Sequence, residues 1–400
     1  MRRILFVCEA VSLAQVVRLV TLARALDPAR HQIHFAAARF DEMIFQGTTF
    51  VRHPIFSLSA RTVDGRVASG RRPYGRRTLS RYVREELALF GDVRPALVVG
   101  DLRLSLAVST AVANLPYANL INAYWSPFGR QAGFPLPDHP IVRLLGVKLA
   151  TQYFPKALPH VFAHFARPVN ALRRQYDLPE LGSLPEILTH GDYTLFPDVP
   201  ALVPTDALPA HQRYLGPVLW SPPVALPAWW ATLDWSRPTL YVTLGSSGRV
   251  DRLRLVIEAA AALGLQVVAA TAGRTRLDPR RLPPHVYVAD FLPGHLAARR
   301  ARIVVSNGGS TTGYQALAER RPVLGIAFNL DQYLAMTAIA DSGAGLLLRA
   351  GNVDRAQVTA ALERMLSEPS FTAAAGRLGD EFSRWDSGAA FARFVEAAVG

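Results

Sequence analysis

Twice along this chain of 400 residues, short apolar runs alternate with amphipathic stretches, and that alternation limits the fold more than any other feature. "RRILFVCEA" opens the first series. The helix-patterned "VVRLVTLARALD" follows, with Pro28 beyond its end. "HQIHFAAA", "ALVVGDLR" (entered through Pro95) and "YANLINA" are further strands, and the helical "SLAVSTAVANL" separates the last two. The second series starts with "TLYVTLGSSG", then the helix "RLRLVIEAAAALG", then the strands "QVVAATAG", "VYVADFLP", "RIVVSNGG" and "VLGIAFN". Continuous apolar strands joined through helices form parallel sheets covered on both faces. The length suits two domains of roughly 150–200 residues each. Two successive α/β units are therefore expected.

Between the two series the pattern loosens. Residues 124–200 are aromatic and proline-rich, and 214–238, dense in proline and tryptophan, read as a linker. The N-terminus imitates a targeting segment, but Glu9 interrupts its apolar stretch, so it reads as a first strand. No apolar run reaches the ~18 residues that span a bilayer. The single Cys8 excludes intrachain disulfides and fits a reducing compartment, so a cytoplasmic location is expected. The net charge of +13 comes almost wholly from arginine, since Lys148 and Lys156 are the only lysines. Such a balance favours acidic ligands or anionic surfaces. Arg61, Arg66, Arg71, Arg72, Arg76, Arg77, Arg81 and Arg84 share one stretch with Gly65, Gly70 and Gly75. It reads either as a solvated loop or as a patch for a membrane surface or an anionic acceptor. Nucleic acid is disfavoured, because aromatics are not interleaved with these arginines.

The chemistry concentrates in "VVSNGGSTTGYQALAERRP", residues 304–322. A strand containing Ile303, Val304 and Val305 ends at Asn307. Gly308, Gly309, Ser310, Thr311 and Thr312 follow, and then a helix pattern. In an open parallel sheet, ligands bind beyond the carboxyl ends of the strands. A helix that starts there offers free N–H groups and a positive dipole end to an anion. The glycines permit close approach, and the hydroxyls donate. The loop holding Ser246 and Ser247 ends the first strand of the same series; two such loops suit a diphosphate. Other phosphate motifs are absent: there is no GxxxxGK[ST] and no glycine between Glu9 and Ser12. The GxSxG elbow fails because the 308–312 stretch ends in Thr312. His160 and His164 lack the companions of a zinc site.

With this block, the two-series chain resembles the GT-B glycosyltransferases of family 1, the UDP-glycosyltransferase and bacterial natural-product group. The resemblance spans the chain and is strongest from 285 to 350. It implies an α/β fold of two Rossmann-like parallel-sheet domains facing across a cleft. The family's phosphate-binding His is replaced by Asn307. Its phosphate-contacting hydroxyl matches Thr312, its ribose-holding Glu is replaced by Gln315, and its sugar-binding Asp-Gln pair matches Asp331 and Gln332. Phe291 in "DFLP" matches the segment that contacts the base. Asn307 and Gln315 keep hydrogen-bonding capacity without charge, so donor binding is expected with lowered affinity.

The acceptor side departs further. The family's general-base His falls at Gln15, whose amide takes no proton at neutral pH. The carboxylate that orients that His matches Asp101, which also reads as a strand-end helix cap. Three routes stay open: Asp101 acts as base directly or through water, the acceptor is already a good nucleophile, or the chain is a weak or inactive member. Tyr124, Trp125, Phe128 and Phe134 are expected as walls for an apolar, aromatic or lipid-like acceptor, with possible peripheral membrane contact. The resemblance implies residues 1–216 as acceptor domain, 217–237 as linker, 238–380 as nucleotide-sugar domain, and a helix in 381–400 crossing back to the first. The implied reaction is an inverting, metal-independent transfer from a UDP- or dTDP-sugar, without a cofactor. A sugar-nucleotide epimerase or a non-catalytic binding protein are the alternatives.

Overall fold

A computed structural model describes the chain apart from residues 10, 132, 246–248 and 250 and the side chains at 140, 141, 143 and 279. It divides into two compact units. The first comprises Met1–Gly133, His139–Val218 and Trp385–Gly400; the second comprises Phe134–Asp138 and Leu219–Arg384.

In the first unit the chain runs β1 (Arg2–Cys8), α1 (Leu13–Arg24), β2 (His31–Ala37), α2 (Glu42–Phe45) and β3 (Val51–Pro54). Then come α3 (Ala60–Ala68), α4 (Arg76–Val93), β4 (Leu97–Asp101), α5 (Leu106–Ala113) and β5 (Tyr117–Leu120). α6 (Pro140–Gln175), α7 (Leu184–Leu188), β6 (Tyr193–Phe196) and β7 (Gln212–Tyr214) complete its main run. The seven strands pair in parallel in the order β3-β2-β1-β4-β5-β6-β7. β1 lies between β2 and β4, so Ile4 to Cys8 are wholly buried, as a continuous apolar run requires.

The second unit runs β8 (Thr239–Thr243), α8 (Arg252–Ala262), β9 (Gln266–Ala270), β10 (Val286–Ala289), α9 (Gly294–Arg300) and β11 (Ile303–Ser306). It continues with α10 (Ser310–Ala318), β12 (Val323–Ala327), α11 (Leu330–Asp341), β13 (Gly345–Arg349), α12 (Arg355–Ser367) and α13 (Pro369–Phe382). Its six strands are parallel in the order β10-β9-β8-β11-β12-β13. The order reverses between β8 and β11, which opens a crevice at their carboxyl ends.

The tryptophan-rich stretch read as a linker lies largely in the second unit. There Trp229 packs on Tyr287 of β10, with ring centroids 5.5 Å apart. The last helix, α14 (Ser387–Val399), belongs to the first unit: Phe391 meets Phe6, and His31 Nε2 lies 2.9 Å from Glu396. One expectation is corrected here. The arginine-rich stretch is not one loop but two helices, α3 and α4, joined by a short turn. Val63, Leu79, Tyr82 and Val83 bury one face of the pair, while Arg61, Arg77 and Arg84 stay exposed.

Candidate functional site

In the second unit, five strand ends converge beside the β8/β11 crevice. Gly245, just past β8, has φ +61°, and a Cβ there would sit 3.1 Å from Asn307 Nδ2 across the crevice. Asn307 is buried, and its Oδ1 accepts the Gly309 N–H at 3.1 Å, which leaves Nδ2 on the side of Gly245. Gly308 has φ +81°, and a Cβ there would lie 2.7 Å from Met336 Cγ and 3.2 Å from the Gln332 carbonyl oxygen. The glycine thus lets α10 start hard against α11. Gly309 is the N-cap of α10 and has no side chain to satisfy the first N–H groups, so this helix end can hold an anion. Thr311 Oγ1 is buried without a partner, and Thr312 is half-buried beside it in the first turn. Ser246 and Ser247 lie outside the described residues.

The rest of the block shares its groups between fold and ligand. Gln315 donates from Nε2 to the Trp220 carbonyl at 2.7 Å, while a side chain at Gly294 would collide with its Oε1. One Nε2 proton and the Oε1 acceptor are therefore left for a hydroxyl. Gln332 is the N3 residue of the α11 cap: its Oε1 accepts from Phe328 N at 2.9 Å, and Asn329 Oδ1 accepts from Gln332 N at 3.0 Å. Its Nε2 is buried with no partner, which is costly unless a ligand accepts from it. Asp331 precedes it in the same turn, partly exposed. Phe291, past β10, is half-buried and stands 4.0 Å from the Cβ position of Gly273 past β9. One residue escaped the motif reading. Arg274 reaches from the β9 end to the Gly245 carbonyl at 3.4 Å, bringing a guanidinium to the small-residue loop. Nothing in its spacing marked it; only the sheet order brings it there.

In the first unit, Asp101 is held in a buried ion pair. It is fully buried, and both carboxylate oxygens take the Arg18 guanidinium, at 2.9 Å from Nε and 2.8 Å from Nη2. Arg18 also donates to Asn122 at 2.7 Å, and Asn122 donates to Asp198 at 2.7 Å. Asp101 therefore anchors a buried network. Gln15 is likewise engaged: its Oε1 accepts from Ser12 N at 3.0 Å, forming the capping box of α1. Tyr124 is wholly buried and Trp125 is 7% exposed. Phe128 is half-buried. Phe134 departs from the others, because 134–138 packs with the second unit. There Asp138 pairs with Arg349 at 2.7 Å and accepts from Gly351 N at 2.6 Å.

A different carboxylate stands at the end of β1. Glu9 is 1% exposed and accepts from Tyr82 Oη at 3.1 Å and from Arg103 Nη1 at 3.4 Å. Arg103, wholly buried over the Tyr82 ring, also donates to Glu86 at 2.7 Å and to Ser57 at 2.8 Å. Its Nη2 has no partner. Two carboxylates thus share one guanidinium. Glu86 takes the short bond and two serine hydroxyls, from Ser105 at 2.6 Å and Ser109 at 2.7 Å. Glu9 keeps the long one. Burial pushes the Glu9 carboxyl up to about 7, with Glu86 adding to the rise and Arg103 and Tyr82 opposing it. The sequence showed Glu9 only as a break in an apolar run, because its partners come from α4 and from the segments after β3 and β4.

Residues 254–390 match the family described as Erythromycin biosynthesis protein CIII-like, C-terminal domain. Over 400 residues the chain is 46% identical to a PGL/p-HBAD biosynthesis glycosyltransferase of Mycobacterium tuberculosis, covering 100% of this chain and 92% of the relative. It is 45% identical over 399 residues to a PGL/p-HBAD biosynthesis rhamnosyltransferase of Mycobacterium bovis, covering 100% and 88%. Among solved structures it is similar in fold to spinosyn rhamnosyltransferase SpnG complexed with thymidine diphosphate. The TM-score is 0.67 at 21% identity, covering 99% of this chain and 100% of that one.

Proposed function

This chain belongs to the family 1 glycosyltransferases of GT-B fold, the group of the bacterial natural-product enzymes, and we propose that it transfers a deoxyhexose from a dTDP-sugar to a hydroxyl of an aromatic or lipid-like acceptor. The single observation that carries this reading is the pairing of an uncapped α10 N-terminus with two buried, unpartnered polar atoms beside it, Thr311 Oγ1 and Gln332 Nε2. Such atoms are expensive to bury unless a ligand completes them. The α10 N–H groups and Thr312 hold the β-phosphate side of the diphosphate. Asn307 Nδ2 and Arg274 supply donors from the opposite edge. Gln315 Oε1 accepts a ribose hydroxyl, Phe291 flanks the base, and Gln332 Nε2 with Asp331 addresses the sugar. The name of one relative and the thymidine diphosphate of the SpnG complex favour dTDP-rhamnose as the first donor to test.

The reaction is one displacement with inversion. The acceptor oxygen bonds to the anomeric carbon as the bond to the diphosphate oxygen breaks, and the electron pair leaves with dTDP. Charge growing on the diphosphate is met by the α10 dipole and the Arg274 guanidinium, fixed groups that need no reorganisation. The acceptor proton goes to Glu9, in place of Asp101. A carboxylate lifted towards neutrality is a better proton acceptor at neutral pH than one neutralised by a dedicated arginine.

The test is transfer from dTDP-rhamnose to a panel of phenolic and aliphatic alcohols, read as product mass, for wild type and Glu9→Gln. Inverted glycoside is expected, with a rate that rises with pH through about 7. It should fall on the order of 10²-fold or more in Glu9→Gln while dTDP binding is kept. A variant that transfers at the wild-type rate with the wild-type pH profile removes Glu9 from the mechanism.

A further inference from the structure

Among the described residues, six of the eleven exposed large apolar side chains fall within one helix. Leu144, Leu145, Val147, Leu149, Tyr153 and Val161 all lie between residues 144 and 161 of α6 and are 38–83% exposed, Leu144 the most. Almost every described residue from 144 to 161 is exposed, Ala150 being buried and Phe154 and Leu158 half-buried. α6 breaks at Gly146 (φ 75°) and carries Pro155 and Pro159 in the exposed part, so this is no idealised solvent helix with a polar outer face. A contiguous exposed apolar surface of this kind marks an interaction site.

The charges around it identify the partner. No acidic residue lies between Asp138 and Asp177, and both lysines of the chain, Lys148 and Lys156, are on this segment. The turn between α3 and α4 lies against the same helix. A side chain at Gly70 would collide with His139 at the α6 start, and Arg72 acts electrostatically on His164 farther along. Arg76 donates to Gln175 at 3.0 Å near the α6 end. The turn thus brings Arg72 to α6 just beyond the apolar segment, with Arg71 exposed beside it in sequence. Apolar side chains flanked by snorkelling lysines and arginines, with an aromatic among them, are the composition of a helix lying in a lipid interface. Among the described residues no helix is long and apolar enough to cross a membrane.

We propose that residues 144–161, with the arginines of the α3–α4 turn, dock the enzyme on an anionic bilayer surface. The occupant is the lipid surface rather than a second copy of this chain, since a like-charged copy would bring the same basic rim against itself. Apolar side chains enter the headgroup boundary and the cations meet anionic headgroups, so binding weakens with salt.

The experiment is flotation of the full chain with phosphatidylglycerol/phosphatidylcholine vesicles and with phosphatidylcholine vesicles alone, at low and high salt. The expected result is capture by the anionic vesicles at low salt, loss at high salt, and little capture by the neutral ones. Leu149→Ser/Tyr153→Ser and Lys148→Gln/Lys156→Gln should each lower the captured fraction about fivefold or more, with dTDP binding and thermal unfolding unchanged. Failure of wild type to float with anionic vesicles, or wild-type capture of both variants, overturns the proposal. So does a dimer by light scattering that the Leu149→Ser/Tyr153→Ser variant dissociates. No sugar transfer is read, so this test stands or falls apart from the donor reading.

Discussion

Asp101 and Glu9 end neighbouring strands, their backbones joined by a hydrogen bond, yet the fold gives them opposite chemistry. Asp101 takes the Arg18 guanidinium on both oxygens, and removing the carboxylate would break that buried pair. Asp101→Ala should therefore destabilise the protein by about 3–5 kcal/mol in chemical denaturation, and its loss of activity should follow its loss of folded protein. Glu9 shares its arginine with Glu86 and is held half-protonated near neutrality. Its raised pKa sets a sign: the unfolded chain ionises this carboxyl near 4.5, the folded one near 7. Its contribution to stability is full below about 4.5 and is lost as pH rises through 7. Urea melts should show wild type losing on the order of 2–3 kcal/mol more than Glu9→Gln between pH 5 and pH 8. A parallel pH profile for the two proteins would contradict this account of the cluster. Gln15, tied into the α1 cap, is a third case. Gln15→His breaks the cap bond to Ser12, so a cost of about 1 kcal/mol in stability is expected, beside any added base.

At the scale of elements, the strands that line both sites were legible because a strand buried on both faces must be continuously apolar. The N-terminal turn of α10 was legible too, as glycines and hydroxyls, whereas the Asn329/Gln332 cap of α11 was not. Nor was the juxtaposition of the two turns: it depends on Gly308 letting Met336 and the Gln332 carbonyl approach, a contact between residues nearly thirty apart. Gly308→Ala places a Cβ at a positive φ against both groups, so it should cost about 1–3 kcal/mol and push the two helix starts apart. Weaker dTDP binding should accompany the lower melting temperature. α3 and α4 were hidden for another reason. Their apolar positions are sparse among arginines, and Gly65, Gly70 and Gly75 read as loop punctuation. Packing of Leu79, Tyr82 and Val83 under the helices outweighs that local preference.

For the whole molecule, the account divides the labour between two parallel sheets. The second sheet reverses at β8/β11 and carries the groups suited to a nucleoside diphosphate. In the first, the interior strand β1 is followed by Glu9, to which the proposed mechanism gives the acceptor proton. What the residue pattern could not show was which arginine each strand-end carboxylate meets, because these arginines come from distant elements: Arg18 for Asp101, Arg103 for Glu9. If the division is right, a nucleotide binds without help from Glu9, and the residues of the β8/β11 crevice decide its affinity. The most direct measurement is isothermal titration of dTDP into wild type, Thr312→Ala, Arg274→Ala and Glu9→Gln. The account predicts binding to wild type and to Glu9→Gln with the same affinity, and a loss of roughly tenfold, about 1.4 kcal/mol, in each of the other two. No binding to wild type, or equal binding by Thr312→Ala and Arg274→Ala, would contradict it.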